Sequence, residues 1–220
     1  MKLVTALSPE KAAEYLEKTK ELDWQDGRES AKGSAKDIKS NLQAYPRDPN
    51  FKPFAQMLNT VILGDGPVRG VSFPKAVVGV RANKYVPGDT YGWHVDFSHM
   101  NGHRTDLSFT LFLSQPDTYE GGELMTDEDG HVRKFKPKAG QMLLYPTGVL
   151  HQVAPVLEGE RVALVGWISS LIPSHESRET LVRMNQAMAK IKDAHNLDAD
   201  DPHFKRLNYV YFQLMRLLTP

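Results

Sequence analysis

The chain has 220 residues, 40% of them apolar and 25% charged, and its 27 basic side chains balance 27 acidic ones to a formal net charge of zero. A length of this order suits one domain with a single core, and the missing basic surplus gives no support to a nucleic-acid partner. There is no cysteine, which excludes disulfides, thiolate ligands, iron–sulfur clusters and a Cys nucleophile.

Met1 to Leu7 lacks the apolar core of a signal peptide. No stretch approaches the roughly 20 apolar residues of a membrane helix, so the expectation is a cytoplasmic protein with no membrane partner. Ser8-Pro9-Glu10 reads as a helix start: Ser8 caps, Pro9 fits the first helical position and Glu10 complements the dipole. Ala12, Tyr15, Leu16, Thr19 and Leu22 continue the helical period, which Asp26-Gly27 ends. Arg28 to Asn50 is polar and reads as an irregular loop, with Lys32, Lys36 and Lys39 solvated; the loop is a candidate lid. Phe51 to Leu63 returns to a helical pattern, with Phe54, Met57, Leu58 and Ile62 on one face.

From Val68 the composition turns to β-branched and aromatic runs separated by Gly, Pro and Asp. Strands are expected at Ala76–Tyr85, Tyr91–Asp96, Thr105–Ser114, Gly122–Met125, Arg133–Phe135, Gln141–Tyr145, His151–Val156 and Arg161–Ser169. Pro87-Gly88-Asp89, Glu128-Asp129-Gly130 and Glu158-Gly159-Glu160 are the clearest turns. Gly121-Gly122 reads as a bulge or turn that shapes the core. Many short strands with turns between them predict an antiparallel sandwich or barrel. After Pro173 two helical patterns follow. Ser174 to Asn196 carries Leu181, Met184 and Met188, a stripe suited to a core or a dimer face, and Phe204 to Leu218 carries Leu207, Tyr211 and Leu214. The division is thus 1–172, with its β core at about 68–172, and a helical extension at 173–220. The amphipathic extension is compatible with a homodimer.

His94 and Asp96 stand two apart in an expected strand, so their side chains share one face. His151, opening a distant strand, is the best placed third ligand among eight histidines. Two imidazoles and one carboxylate leave open positions on a metal, the arrangement of non-haem Fe(II) oxygenases. His99 and His103 fall in the polar loop Phe97–Arg104, His131 in a turn, and His175, His195 and His203 in the helical tail. Arg161, ten residues beyond His151, enters an apolar strand. A guanidinium there needs an anionic partner, and it matches a carboxylate with two parallel hydrogen bonds. An ion pair with Glu158 or Glu160 is the plainer alternative. Trp93 and Trp167 read as packing residues.

Five runs carry a family resemblance. They are Tyr85-Val-Pro-Gly-Asp-Thr-Tyr-Gly-Trp-His94-Val-Asp96, then Arg104-Thr-Asp-Leu-Ser-Phe-Thr-Leu-Phe-Leu-Ser114 with Tyr119-Glu-Gly-Gly-Glu-Leu124, then Leu144-Tyr-Pro-Thr-Gly-Val-Leu-His151 with Gly159-Glu-Arg161. In order and spacing they resemble the PKHD-type hydroxylases among the prolyl-4-hydroxylase-like, Fe(II)- and 2-oxoglutarate-dependent dioxygenases, from Ala76 to about Ile172. The resemblance implies a double-stranded β-helix (jelly-roll) core with N-terminal helices and a C-terminal helical tail. It implies Fe(2+) at His94, Asp96 and His151, the far carboxylate of 2-oxoglutarate at Arg161, and O2 as cosubstrate, with ascorbate as a compatible accessory. Tyr85, Ser108 and Thr110 are expected to line the cosubstrate pocket, with Phe112 on the same strand face. In related halogenases the carboxylate is missing and chloride takes its coordination site; the presence of Asp96 favours hydroxylation, with release of succinate and CO2, or another oxidation over chlorination. The substrate is open: a prolyl residue, an amino acid or a small metabolite. Two other classes compete, a cupin-like metal enzyme that does not use 2-oxoglutarate and a non-catalytic metal-binding sensor; Arg161 and the complete ligand set argue against them. Fold and site chemistry alone do not choose a substrate.

Overall fold

Two antiparallel sheets and a set of helices account for most of the ordered backbone. The structure is a computed structural model that describes residues 1–30, 33–198 and 200–220. It opens with β1 (Lys2–Thr5), α1 (Pro9–Lys18), β2 (Gln25–Asp26), β3 (Lys39–Ser40) and β4 (Leu42–Ala44). Helices α2 (Lys52–Leu63) and α3 (Pro67–Ser72) lead into β5 (Pro74–Tyr85), β6 (Thr90–His94), β7 (His99–Met100) and β8 (His103–Arg104). Next come β9 (Leu107–Phe112), β10 (Tyr119–Gly121), β11 (Leu124–Glu128), β12 (His131–Phe135) and β13 (Gln141–Pro146). The chain ends with β14 (Leu150–Val153), β15 (Val156–Gly159), β16 (Arg161–Ser170), α4 (His175–Ala194) and α5 (Pro202–Leu218). None of the helices is long and apolar enough to cross a membrane among the described residues.

The larger sheet runs β1-β13-β9-β16-β5-β4-β2 and the smaller β12-β11-β14-β6-β3. Strand alternation explains how one sheet serves two layers. Phe109 and Leu111 of β9, Met142 and Leu144 of β13, and Leu164 and Ile168 of β16 join Phe54, Leu58 and Ile62 of α2 in the main core. The intervening residues face the smaller sheet: Tyr85, Phe112, Leu143 and Tyr145 cluster with Leu124 and Val153. With both faces covered, β9 is buried at all six positions, its polar Ser108 and Thr110 included. Each fully buried Leu or Phe contributes about 1.5–3 kcal/mol.

Helix ends follow their caps. The Lys11 N–H donates to Ser8 Oγ at the start of α1, and the N–H groups of His203 and Phe204 donate to Asp201 Oδ1 at the start of α5. In the last two helices Leu181, Met188, Phe204 and Tyr211 are buried together against Phe73 and Ile172, with Met184 packed on them, so the Met–Leu stripe is core.

The structure departs from the sequence expectations at several places. Residues 1–7 were read only for targeting, but Lys2–Thr5 pairs with β13 along the edge of the larger sheet. The β region starts at Pro74, because Val68 sits inside α3. The loop Arg28–Asn50 contains β3 and β4, which pair with β6 and β5; so short a pair of strands carries too few alternations to be read. His131 opens β12 instead of lying in the turn. The strand expected at His151–Val156 breaks at Ala154-Pro155, since Pro cannot donate to a ladder. A separate strand, β15, starts at Val156 and runs through Glu158-Gly159, which were expected in a turn, because they pair with β10; the register shift at Gly121 is the anticipated bulge. Lys32 falls outside the described residues.

Candidate metal centre

Pairing of β6 with β14 places His151 directly opposite His94, with ring centroids 4.2 Å apart. Asp96 lies two residues beyond His94, and its carboxylate reaches back to both rings: Oδ1 is 3.9 Å from His94 Nε2 and Oδ2 is 3.6 Å from His151 Nε2. Ligand atoms of the three residues lie within 4.8 Å of one another, a group that could hold a metal ion.

The tautomers of both histidines are set by the backbone. His94 Nδ1 is 2.8 Å from the Gly92 carbonyl and His151 Nδ1 is 2.9 Å from the Val149 carbonyl. A carbonyl only accepts, so each Nδ1 carries the proton and each Nε2 presents a lone pair to the shared space. Burial and the neighbouring His151 push the His94 imidazole down to about 4, which keeps it neutral at physiological pH. Tyr91 stacks on His94 at 3.6 Å and Tyr145 packs edge-on to His151 at 5.1 Å.

Asp96 is held by two donors from the larger sheet. Ser108 Oγ–H donates to Oδ2 at 2.8 Å and Trp167 Nε1–H donates to the same oxygen at 2.9 Å. Such partners fix a ligand's orientation and raise its affinity for the metal.

Arg161 marks the other end of the cavity. Its side chain is 1% exposed and lies between the Tyr85 and Phe112 rings, 5.2 and 5.1 Å from their centroids. Tyr85 is its register partner across β5 and β16. Among the described residues Arg161 forms no ion pair, so the alternative pairing with Glu158 or Glu160 does not occur. Its Nε is buried without a hydrogen-bond partner, and the buried Tyr119 Oη lies close to the guanidinium. A buried guanidinium is costly without an anion, and a carboxylate would offset that cost at this end of the cavity. The residues present therefore fit a divalent metal held by His94, Asp96 and His151, and a dicarboxylate between them and Arg161.

The cavity is lined by all seven residues singled out from the sequence, His94, Asp96, His151, Arg161, Tyr85, Ser108 and Thr110. Sequence reasoning missed others. Lys39, read as solvated, is 5% exposed and lines the cavity, because β3 turns it inward. Arg81 and Asn83 line it too; their spacing from Tyr85 in β5, every second residue, was a signal for one shared face. Trp167 was read as packing, but it touches a candidate ligand. Trp93 is 37% exposed, which removes it from the packing role. His99 and His103 are exposed on the β7–β8 hairpin, and His195 and His203 are exposed on the tail.

The 2OG-Fe(II) oxygenase superfamily model matches residues 80–169. A PKHD-type hydroxylase from Prochlorococcus marinus (strain MIT 9303) is 36% identical over 200 residues, covering 91% of this chain and 89% of the relative. Another from Idiomarina loihiensis is 37% identical over 193 residues, covering 88% and 86%. Among solved structures, a Pseudomonas putida prolyl-4-hydroxylase superposes with a TM-score of 0.57 at 18% identity, covering 77% of this chain and 91% of that one. HygX from Streptomyces hygroscopicus, solved with nickel, 2-oxoglutarate and hygromycin B, superposes with a TM-score of 0.55 at 14% identity, covering 76% and 82%. These two likenesses bear on the fold, a jelly-roll core with flanking helices, as the sequence led one to expect.

Proposed function

This chain belongs to the PKHD-type hydroxylases of the 2OG-Fe(II) oxygenase superfamily, and on that premise we propose that it hydroxylates a C–H bond of its substrate through iron held by His94, Asp96 and His151. The observation that carries this reading is the pairing of a two-histidine, one-carboxylate cluster with a buried, anion-seeking Arg161 in one cavity. Bound iron, 2-oxoglutarate and O2 supply the oxidising power for hydroxylation, with succinate and CO2 as co-products. The substrate class is a prolyl residue, a free amino acid or a small metabolite.

The protein's part is positioning. His94 and His151 offer Nε2 lone pairs because their Nδ1 protons are committed to backbone carbonyls. Ser108 and Trp167 hold Oδ2 of Asp96, which leaves Oδ1 to a metal. Arg161, backed by Tyr85 and Phe112, receives the far carboxylate of 2-oxoglutarate, and Tyr119 Oη–H adds a donor there. Thr110 and Tyr145 wall that end of the cavity and keep water from it.

The test is succinate formation from 2-oxoglutarate by protein purified without oxygen and supplied with Fe(II) and O2, with and without ascorbate. Iron-dependent succinate that falls in Arg161→Ala is the expected result. The reading fails if Fe(II) and 2-oxoglutarate do not bind together, or if Arg161→Ala leaves cosubstrate affinity unchanged.

A further inference from the structure

Two cations in the cavity have no role in the chemistry described above. Lys39 Nζ donates to Ser30 Oγ at 2.7 Å and lies 4.8 Å from the centroid of Tyr91. Arg81 donates from Nε to the Gly79 carbonyl at 3.3 Å and lies 4.9 Å from the centroid of Trp167. Each cation thus rests on an aromatic ring that itself touches a candidate metal ligand, Tyr91 on His94 and Trp167 on Asp96. Among the described residues neither cation forms an ion pair.

Their surroundings are polar but neutral. Ser30 Oγ also lies 2.7 Å from Gln43 Oε1, and Gln43 Nε2 donates to Asn83 Oδ1 at 2.7 Å. Asp26, which Lys39 senses electrostatically, is paired with Arg28. The other carboxylate both cations feel is Asp96, which is committed to the metal site.

A charge account then leaves a surplus. A divalent metal is met by Asp96 and the keto-acid carboxylate of 2-oxoglutarate, and Arg161 is met by the far carboxylate. Nothing answers Lys39 and Arg81. Arg81 stands four residues from Tyr85, the register partner of Arg161, so the two guanidinium-bearing positions are roughly 13 Å apart along the sheet at about 3.4 Å per residue. In the reading above Arg161 takes the far carboxylate of 2-oxoglutarate and the metal takes its keto-acid end, which leaves neither for Lys39 and Arg81. Lys39 is buried and Arg81 half-buried; cations so placed without an anionic partner are costly, and a fork beside an ammonium suits a carboxylate.

We propose that Lys39 and Arg81 form the substrate-recognition site, and that the primary substrate is a small molecule whose carboxylate they bind while a C–H bond of the same molecule faces the metal. The proposal rests on the oxygenase reading of the site. It narrows the substrate classes to those with a free carboxylate, such as a free amino acid, and sets aside an internal prolyl residue.

The test uses acetate as the probe. The full chain is loaded with diamagnetic Zn(II) and saturating 2-oxoglutarate, and the Trp167 indole N–H signal is followed by NMR at constant ionic strength. Acetate should give a saturable shift that acetamide does not. Arg81→Leu and Lys39→Met should each weaken acetate binding at least tenfold, while Arg81→Lys, which keeps the charge, retains part of it. The proposal is overturned if acetate gives no saturable shift, if acetamide matches it, if the variants bind acetate as the parent does, or if saturating 2-oxoglutarate abolishes the response. Failure of the oxygenase reading would appear separately, as a Zn(II)-loaded protein that does not bind 2-oxoglutarate through Arg161.

Discussion

Trp167 and Asp96, 71 positions apart in the chain, are joined by a hydrogen bond of 2.9 Å from the indole Nε1–H to Oδ2. The larger sheet thereby aims a carboxylate that follows a strand of the smaller one. Trp167→Phe keeps the ring and removes the donor, and Ser108→Ala removes the second donor on the same oxygen. Each should lower Fe(II) or Mn(II) affinity by about 10–100-fold, measured by anaerobic calorimetry. Unchanged affinity in both would show that the carboxylate needs no such support.

Removing a ligand should do more than loosen the metal. His94→Ala or Asp96→Ala is expected to abolish iron-dependent succinate formation, because the two remaining donors no longer define an octahedral site. Persistent turnover at the parent rate in either variant would sink the ligand assignment.

Gly122 has φ +64°, and a Cβ there would sit 3.1 Å from Arg161 Cδ, 3.0 Å from Val156 Cγ2 and 3.2 Å from Tyr119 Cε2. Gly122→Ala should therefore cost about 1–2 kcal/mol of stability from the left-handed backbone alone. It should also weaken 2-oxoglutarate binding by displacing the guanidinium. Chemical denaturation and a cosubstrate titration check the two effects separately.

Lys39 gives a pH signature. Burial, with the Arg81 charge beside it, lowers its ammonium to about 7 in the folded protein, against about 10.4 in an unfolded chain. Between those values the unfolded chain holds the extra proton, so stability rises with pH. The penalty is complete below about pH 7 and gone above about pH 10. In the ligand-free protein Lys39→Met should thus raise the melting temperature at pH 6–7, by about 4–8 °C if the relieved penalty is about 2 kcal/mol. The gain should shrink as pH approaches 10. A pH-independent difference between the two proteins would contradict the burial argument.

The reach of the sequence can be judged residue by residue. His94, Asp96, His151 and Arg161 were legible because a His-x-Asp spacing and a charge at the head of an apolar strand are local signals, although the strand expected to reach Asp96 ends at His94 and the carboxylate reaches back from beyond it. All four line one cavity in the structure. Arg81 was half legible: its alternation with Asn83 and Tyr85 was present, but no chemistry yet asked for a second cation. Lys39 was not legible, since β3 is two residues long and owes its existence to pairing with β6. Trp167 was misjudged because the ring does pack, and only the tertiary structure shows where its N–H points. The strand Lys2–Thr5 was missed for the same reason as β3: it is short and owes its existence to a partner distant in the chain, Gln141–Leu144.

The pairing of β6 with β14 has a consequence for biosynthesis. A chain emerging from the ribosome presents His94 and Asp96 early, but the imidazole opposite them arrives only after β9 to β13 have been made. The donors that steady Asp96 are split the same way, Ser108 emerging before His151 and Trp167 after it. No short segment can therefore capture iron tightly by itself. A product truncated before β14 carries only two of the three candidate ligands and one of the two donors to Asp96.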